Sequence, residues 1–165
     1  MKREKIEKTN VMRLLDRAHI AYTPHFYDHQ DGVIDGAGVA KKLNQDPRCV
    51  FKTLVTRGKS GNYHVFCIPV EKELDLKKCA VAAKEKAVEM LHVKDLLPLT
   101  GYVRGGCSPI GMKKPFSTVV DNTCLNCPTI IFSAGKIGTQ VEVKPADLLA
   151  YIGATTADLV INQDE

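Results

Sequence analysis

The sequence lacks tryptophan, and aromatic residues make up only 6% of its 165 positions. It also lacks long apolar runs: residues 129–132 form one of the longest, far short of the ~20 residues that a transmembrane helix needs. Residues 1–5 are mostly charged and no apolar block follows them, which predicts a cytoplasmic protein without a secretory signal. With 44% hydrophobic and 25% charged residues, we expect one globular domain over residues 1–165 rather than a disordered, collagen-like or coiled-coil protein.

A strong excess of one charge sign is absent as well. Lysine and arginine number 23 against 19 aspartate and glutamate, which gives a net charge of +4. This balance permits contact with nucleic acid, but it is weaker than the basic surface of a dedicated nucleic-acid binder. From this charge balance we expect no DNA partner, and from the absence of long apolar runs we expect no membrane partner.

Cysteine, in contrast, is plentiful. Without a secretory signal, we expect all six cysteines to be reduced thiols, several of them buried as small hydrophobic side chains. Cys124 and Cys127 have the spacing of a metal-ligand pair, but a structural zinc site needs a second pair. A turn with buried or half-exposed thiols is the favoured interpretation, and no metal or cofactor is predicted. The six are Cys49, Cys67, Cys79, Cys107, Cys124 and Cys127.

Apolar periodicity and turn residues predict short helices and strands in an irregular order. The predicted helices cover residues 5–18, 39–43, 76–83 (capped by Asp75), 93–97 and 145–151. The predicted strands cover residues 22–27, 50–56, 63–70, 118–120, 129–133 and 140–143, and the second and third of these form a hairpin. Because strands and helices do not alternate in βαβ units, the predicted fold class is α+β with a mixed sheet.

Residues 105–111 carry the most concentrated functional signal. The segment Gly-Gly-Cys-Ser-Pro-Ile-Gly lets the backbone approach a ligand closely and present N–H groups to an anion or a carbonyl oxygen. The alternative is a tight connection between strands. The segment is not a nucleophile elbow, because Ile110 stands where glycine is required and Pro109 lacks the N–H that an oxyanion hole would use. Ser108 is therefore a poor candidate nucleophile. A dyad of Cys107 with one of the scattered histidines stays open.

Lys52 is the second signal. Alternation along residues 50–55 places Lys52 and Leu54 on the same face of a strand. A lysine on an apolar face costs desolvation energy unless an anion accompanies it. Such a lysine either extends its amine to solvent or provides a fixed positive charge beside a phosphate or carbonyl group.

Taken in order, four segments of the chain resemble the YbaK/EbsC family. They are Phe51-Lys52-Thr53-Leu54, then Leu74-Asp75-Leu76-Lys77-Lys78, then Thr100-Gly101-Tyr102 with the loop 105–111, and Ser133-Ala134-Gly135. Members of this family are Cys-tRNA(Pro) deacylases, related to the editing domain of bacterial prolyl-tRNA synthetases. The resemblance implies an α+β domain with a curved, mixed or antiparallel sheet and no cofactor. It implies mischarged tRNA(Pro) as substrate, with prolyl-tRNA synthetase as a further partner.

The resemblance also implies a site. In the family, the strand lysine lies near the aminoacyl ester, which implies a catalytic role for Lys52. The loop holds the aminoacyl group through backbone groups, and further positions line the pocket. The implied substrate-binding residues are Tyr22, Thr53, Gly106, Ser108, Pro109, Gly111 and Ser133.

The chemistry that the resemblance implies is substrate-assisted. The thiol of the bound cysteine attacks its own ester carbonyl. A free-standing domain of this kind removes cysteine that was attached to tRNA(Pro) by mistake, because binding alone discriminates weakly between amino acids of similar size such as cysteine and proline. Gln140 departs from the family, because many members carry an acidic residue there; its role in holding the substrate amine is therefore open. Two alternatives remain: the same fold acting on another aminoacyl group, such as Ala-tRNA(Pro), or a non-enzymatic module that binds RNA or a partner.

Overall fold

Helices and strands follow one another irregularly along residues 7–162, the part of the chain that the computed structural model describes. The helices are α1 (Asn10–Arg17), α2 (Gly36–Lys42), α3 (Leu76–Ala83), α4 (Val93–Thr100) and α5 (Pro145–Ile152), with short 3₁₀ turns at Pro47–Cys49 and Asn122–Asn126. The strands are β1 (Thr23–Phe26), β2 (Phe51–Gly58), β3 (Tyr63–Pro69), β4 (Val88–Met90), β5 (Ser117–Asp121), β6 (Ile130–Lys136), β7 (Thr139–Val143) and β8 (Thr155–Ala157). The predicted α+β class is confirmed. Residues 5 and 6 of the first predicted helix lie outside the described residues.

The strands form two sheets, of which the larger is mixed, as predicted. One is a mixed five-stranded sheet in the order β4-β2-β3-β5-β8, and the other is an antiparallel three-stranded sheet in the order β1-β7-β6. An isolated parallel bridge between Val50 and Ile131 joins them. The sheets pack on each other because apolar side chains of both, including Phe51 and Phe132, meet in one core.

Local signals explain most element boundaries. The Asp75 carboxylate accepts hydrogen bonds from the backbone N–H groups of Lys77 and Lys78, which starts α3 as predicted. Gly153 adopts φ +63° and ends α5. Helix α2 begins at Gly36 rather than at residue 39, because Asp35 caps it by accepting from the Gly38 N–H. Strands β4 and β8 were not predicted, since three residues each are too few to show alternation.

The prediction of six reduced thiols is wrong for Cys49 and Cys127, which form a disulfide. The fold sets the start of β2 beside the start of β6, which brings the two Cα atoms to 5.9 Å across a separation of 78 residues. Because Cys127 is bonded to Cys49, it does not pair with Cys124 as a metal ligand in this form. The remaining four cysteines are free and buried, as expected: Cys67, Cys79, Cys107 and Cys124.

Candidate active site

The bridge between the two sheets sets the position of Lys52. Val50 and Ile131 pair in parallel, and residues two positions further along each strand point to the same face. Lys52 and Ser133, each two residues beyond the isolated bridge, therefore have the parity of one face of the β2–β6 junction. Both are partly exposed, so a ligand can reach them from solvent.

The antiparallel ladders extend this face across the small sheet. Gln140 lies opposite Ser133, and His25 lies opposite Gln140. We call the side chains of Lys52, Ser133, Gln140 and His25 the polar face. Because directly paired residues share a side of a sheet, the polar face is the side away from the core that Phe132 and Val141 fill.

Gln140 is buried on the polar face, with 6% of its surface exposed. Its side-chain Oε1 accepts a hydrogen bond of 2.9 Å from Nε2 of Gln45. Nearby, His25 Nε2 lies 2.7 Å from Glu142 Oε1. The hydroxyl of Thr129 also donates to Glu142, and this hydrogen bond is the main reason that the pKa of the Glu142 carboxyl lies below its usual value. Two members of the polar face are thus held by partners outside it: Gln140 by the amide of Gln45, and His25 by the carboxylate of Glu142.

Burial lowers the pKa of the Lys52 amine, and the negative charge of Glu73 partly offsets that effect. Among residues 7–162, no carboxylate lies close enough to Lys52 for an ion pair. A half-buried ammonium without a protein counter-ion favours an incoming anion or carbonyl oxygen, because the ligand replaces part of the lost hydration.

The glycine-rich loop packs against the end of β6. A Cβ atom on Gly106 would lie 3.0 Å from the backbone nitrogen of Ile137 and 3.3 Å from the carbonyl carbon of Lys136. Only glycine permits this approach of two backbones. Gly105 and Gly111 adopt φ +87° and +79°, a region that other residues rarely enter. The loop thereby closes one end of the β2–β6 junction.

Inside the loop, Ser108 is fully buried, and its Oγ accepts a hydrogen bond of 3.3 Å from the backbone N–H of Ile110. Burial raises the pKa of the Cys107 thiol to about 12, so the reactive thiolate is scarce at neutral pH. Pro109 is also buried, whereas Gly111 is exposed. The loop therefore presents backbone rather than an activated nucleophile.

Thr53 lies on the other face of β2 from Lys52. Its Oγ1 is 3.8 Å from Sγ of Cys67, and Cys67 lies in the same core cluster as Cys107 of the glycine-rich loop. Thr53 therefore connects the strand to the glycine-rich loop from the core side. The structure brings Lys52, Thr53, Ser133 and the loop residues to one region.

Tyr22 does not join this region. Pro24 pairs with the core residue Val141, and Tyr22, two positions earlier, shares that side of the sheet. It lines a separate cleft of about 360 Å³ together with Lys8 and Asp16. Tyr27 instead has the parity of His25 and is fixed by a backbone hydrogen bond of 3.0 Å from its N–H to Gly138 O. Tyr27 is therefore the tyrosine of this segment on the side of the polar face.

Sequence reasoning missed the Gln45–Gln140 and His25–Glu142 pairs, which lie on the same side of the small sheet as Ser133. Alternation within residues 23–26 and 139–143 divides the strand side chains between two faces. It does not say which strands pair, and the pairing decides which side chains lie beside Ser133. Gln45 carries no sequence signal, because it follows α2 in an irregular segment.

The fold is that of a small α+β protein in which two sheets meet beside a half-buried Lys52, with a glycine-rich loop packed against the end of β6. Residues 34–151 match the sequence profile of the aminoacyl-tRNA editing domain family. The chain belongs to this family. The family predicted from the four sequence segments is thereby confirmed.

Known relatives agree with this assignment. The chain is 40% identical to an Enterococcus faecalis protein, EbsC, over 162 residues that cover 98% of this chain and 99% of the relative. That protein is provisionally named a Cys-tRNA(Pro)/Cys-tRNA(Cys) deacylase. The fold also matches the solved structure of the hypothetical protein APE2540, with a TM-score of 0.83, 22% identity, and 92% and 99% of the two chains covered.

A second solved structure, provisionally described as a trans-editing enzyme for prolyl tRNA synthetase, superposes with a TM-score of 0.78. It is 22% identical, and the match covers 92% of this chain and 95% of that one. At this identity the likeness concerns the fold. None of the helices within residues 7–162 is long and apolar enough to cross a membrane.

Proposed function

We propose that this protein is a trans-editing deacylase that removes cysteine from mischarged Cys-tRNA(Pro), and that it also accepts Cys-tRNA(Cys). The observation that carries the proposal is the combination of a half-buried Lys52, which forms no ion pair within residues 7–162, with a loop that contributes no activated nucleophile. Membership of the editing family and the 40% identity to a protein named for this activity support the same substrate.

In the proposed reaction, the substrate provides the nucleophile. The sulfur of the cysteinyl thiolate attacks the carbonyl carbon of its own ester, and the bond from that carbon to the terminal ribose oxygen breaks. The ribose oxygen takes up a proton, so the products are free tRNA and a cysteine thiolactone. Lys52 stabilises the developing negative charge or the neighbouring phosphate, and backbone groups of Gly106 and Gly111 hold the aminoacyl group.

Ser133, Thr53, Ser108 and Pro109 have supporting roles in this proposal. Ser133, like Lys52, lies two residues beyond the bridge, and its partly exposed hydroxyl is suited to contact the aminoacyl group. Thr53, Ser108 and Pro109 keep the loop against the strand from the core side, because their side chains face inward. Tyr27, rather than Tyr22, is the aromatic residue that we place beside the substrate.

The test is a single-turnover deacylation assay with purified protein on Cys-tRNA(Pro), Cys-tRNA(Cys), Ala-tRNA(Pro) and correctly charged Pro-tRNA(Pro). We expect rapid loss of cysteine from both cysteinyl substrates and no loss of proline. Cysteine hydroxamate formed by hydroxylamine beyond the amount that Cys-tRNA(Pro) gives without the protein identifies the thiolactone route, because hydroxylamine also attacks the ester directly. If no aminoacyl-tRNA in the panel loses its amino acid, the proposal is wrong.

A second candidate is editing of Ala-tRNA(Pro), and the neutral Gln140 at an otherwise acidic position favours it. Faster loss of alanine than of cysteine in the same panel would select this alternative. A third candidate, a non-enzymatic module, predicts tRNA binding without turnover.

The proposed function also includes a binding partner and the range of residues that form the editing domain. We propose that the activity is cytoplasmic and that the protein meets its substrate at prolyl-tRNA synthetase, which co-purification of the two proteins with tRNA(Pro) tests. We also propose one editing domain over residues 1–165, since Val11 and Leu15 of α1, outside the matched residues 34–151, pack in the same core as Phe132.

A further inference from the structure

The Cys49–Cys127 disulfide lies beside the candidate active site. Cys49 directly precedes Val50, and Cys127 lies four residues before Ile131. Val50 and Ile131 form the bridge between the two sheets. The covalent bond therefore joins β2 to β6 at the point from which Lys52 and Ser133 take their relative position.

Few backbone contacts support this junction apart from the disulfide. Val50 and Ile131 form an isolated bridge, and the Val50 carbonyl is already used by the Val70 N–H within the large sheet. Apolar packing of Phe51 and Phe132 continues below the junction. The bond between the two sulfurs adds a covalent constraint to the bridge and to this packing at the point where β2 meets β6.

Solvent reaches the disulfide mainly at Cys49. Cys49 is partly exposed and Cys127 is 8% exposed. The neighbouring Cys124 is fully buried, and burial raises the pKa of its thiol to about 11, so it is a poor internal attacking group. Cys49 is the more exposed of the two cysteines, so it is the one that an external thiol attacks, with the Cys127 sulfur as leaving group.

We propose that the Cys49–Cys127 pair is a thiol–disulfide exchange site through which a dithiol reductant controls the editing site. One thiolate of the dithiol bonds to Cys49 Sγ and displaces Cys127 as thiolate. The second thiol of the reductant then displaces Cys49. Two electrons and two protons pass to the protein, and the dithiol becomes a disulfide. The oxidised protein holds β2 against β6 at the bridge before Lys52 and Ser133, and the reduced protein loosens that junction. The effect on editing rests on the proposed function.

The first experiment compares oxidised and reduced wild-type protein. Protein equilibrated with mixtures of reduced and oxidised dithiothreitol is assayed in single turnover on Cys-tRNA(Pro) that was reduced and freed of reductant beforehand. We expect kcat/KM to fall roughly 10- to 100-fold on reduction, since small displacements of positioned groups cost rates of this order. Mass spectrometry after alkylation reports the redox state of the Cys49–Cys127 pair in each sample.

Two variants sharpen the comparison. The double variant Cys49→Ser/Cys127→Ser should have the rate of the reduced protein at every dithiothreitol mixture, which also removes any effect of dithiothreitol on the substrate. Cys124→Ala should retain the redox response of the wild type. Equal rates for the oxidised and reduced wild type would overturn the proposal, and so would a disulfide that dithiothreitol does not reduce in the folded protein.

A second readout separates this proposal from the proposed function. Amide hydrogen exchange at residues 50–54 and 130–134 should accelerate on reduction, whatever substrate the protein acts on. Unchanged exchange would overturn the control of the junction. Absence of deacylation in both redox states, combined with faster exchange on reduction, would overturn the proposed function and leave the exchange site supported.

Discussion

Gln45 Nε2 donates a 2.9 Å hydrogen bond to Oε1 of Gln140, the residue directly opposite Ser133 in the β6–β7 ladder. Within the described residues, the buried Oε1 of Gln45 has no hydrogen-bond partner. The resemblance leads us to expect a carboxylate at position 140, and the amide pair replaces that charge by a neutral acceptor. The pair is therefore both a structural contact and the part of the polar face that departs from the family.

Gln140→Leu should lower the free energy of unfolding by about 1–3 kcal/mol, because the Gln45 amide then loses its partner in a buried position. Urea unfolding measures the change. The double variant Gln45→Leu/Gln140→Leu is the control and should recover most of the loss, since both partners are then apolar. Additive losses in the double variant would show that the hydrogen bond contributes nothing.

Lys52→Met should lower kcat/KM for Cys-tRNA(Pro) by about 10²–10³, the usual cost of removing an electrostatic contact at the reacting group. Lys59→Met, on the exposed turn of the β2–β3 hairpin, is the matched control and should keep the wild-type rate. A wild-type rate for Lys52→Met would place the site elsewhere.

The same variant has a defined effect on stability. Because the pKa of Lys52 is lower in the folded protein, the unfolded state binds more protons, and wild-type stability from this group rises with pH. Lys52→Met does not bury a charged amine, so its free energy of unfolding should be at least that of the wild type at neutral pH. The difference in stability between the variant and the wild type should shrink as pH rises through the folded pKa of Lys52. Urea titrations at several pH values check the sign.

Gly106→Ala should reduce deacylation at least tenfold, because the new Cβ meets backbone atoms of residues 136 and 137 at 3.0–3.4 Å and displaces the loop on the scale that costs activity. Gly61→Ala is the matched control. Gly61 has φ +93° with nothing within 4 Å of an added Cβ, so the substitution strains the backbone by about 1–2 kcal/mol far from the site. It should lower the melting temperature and leave the rate unchanged. Equal rate losses would show that the loop position does not matter.

Cys107→Ala should keep most of the deacylation rate, and iodoacetamide should not inhibit the wild type through this residue. A buried thiol with a pKa of about 12 provides little thiolate at neutral pH. Mass spectrometry of the alkylated protein identifies the modified cysteines. A loss of more than about a hundredfold in correctly folded Cys107→Ala would instead identify a protein nucleophile.

Replacing the cysteine of the substrate by serine on the same tRNA should slow turnover severely at saturation. A thiol titrates near pH 8.5, so a usable thiolate fraction exists at neutral pH, whereas an alcohol stays un-ionised. For Cys-tRNA(Pro), the single-turnover rate should rise with pH up to about 8.5. With a net charge of only +4, tRNA capture is salt-sensitive, so saturation is established at low salt. Equal rates for the two substrates would contradict the substrate-assisted reaction.

The parts of the fold that could be predicted are those whose causes lie close together in the chain. Asp75 caps the helix that follows it, Gly153 ends α5, and the β2–β3 strands pair across a short turn. The family was also readable from the sequence, because its motifs are short contiguous segments in a fixed order. Tyr22 shows the limit of such transfer: a position matched along the chain turned out to lie on the other side of the sheet.

What the sequence by itself determined was therefore the α+β class, most of the local elements and the family. Lys52 and the glycine-rich loop as the chemical centre stay a prediction from the sequence. Tertiary structure alone decided that β2 and β6 meet at the Val50–Ile131 bridge, two residues before Lys52 and Ser133. It also decided that Gln45 bonds Gln140 across 95 residues and that Cys49 joins Cys127 across 78. Alternation assigns a side chain to one of two faces, but long-range strand pairing decides what that face meets. That pairing depends on how the apolar sides of all strands pack in a shared core, which no local pattern specifies.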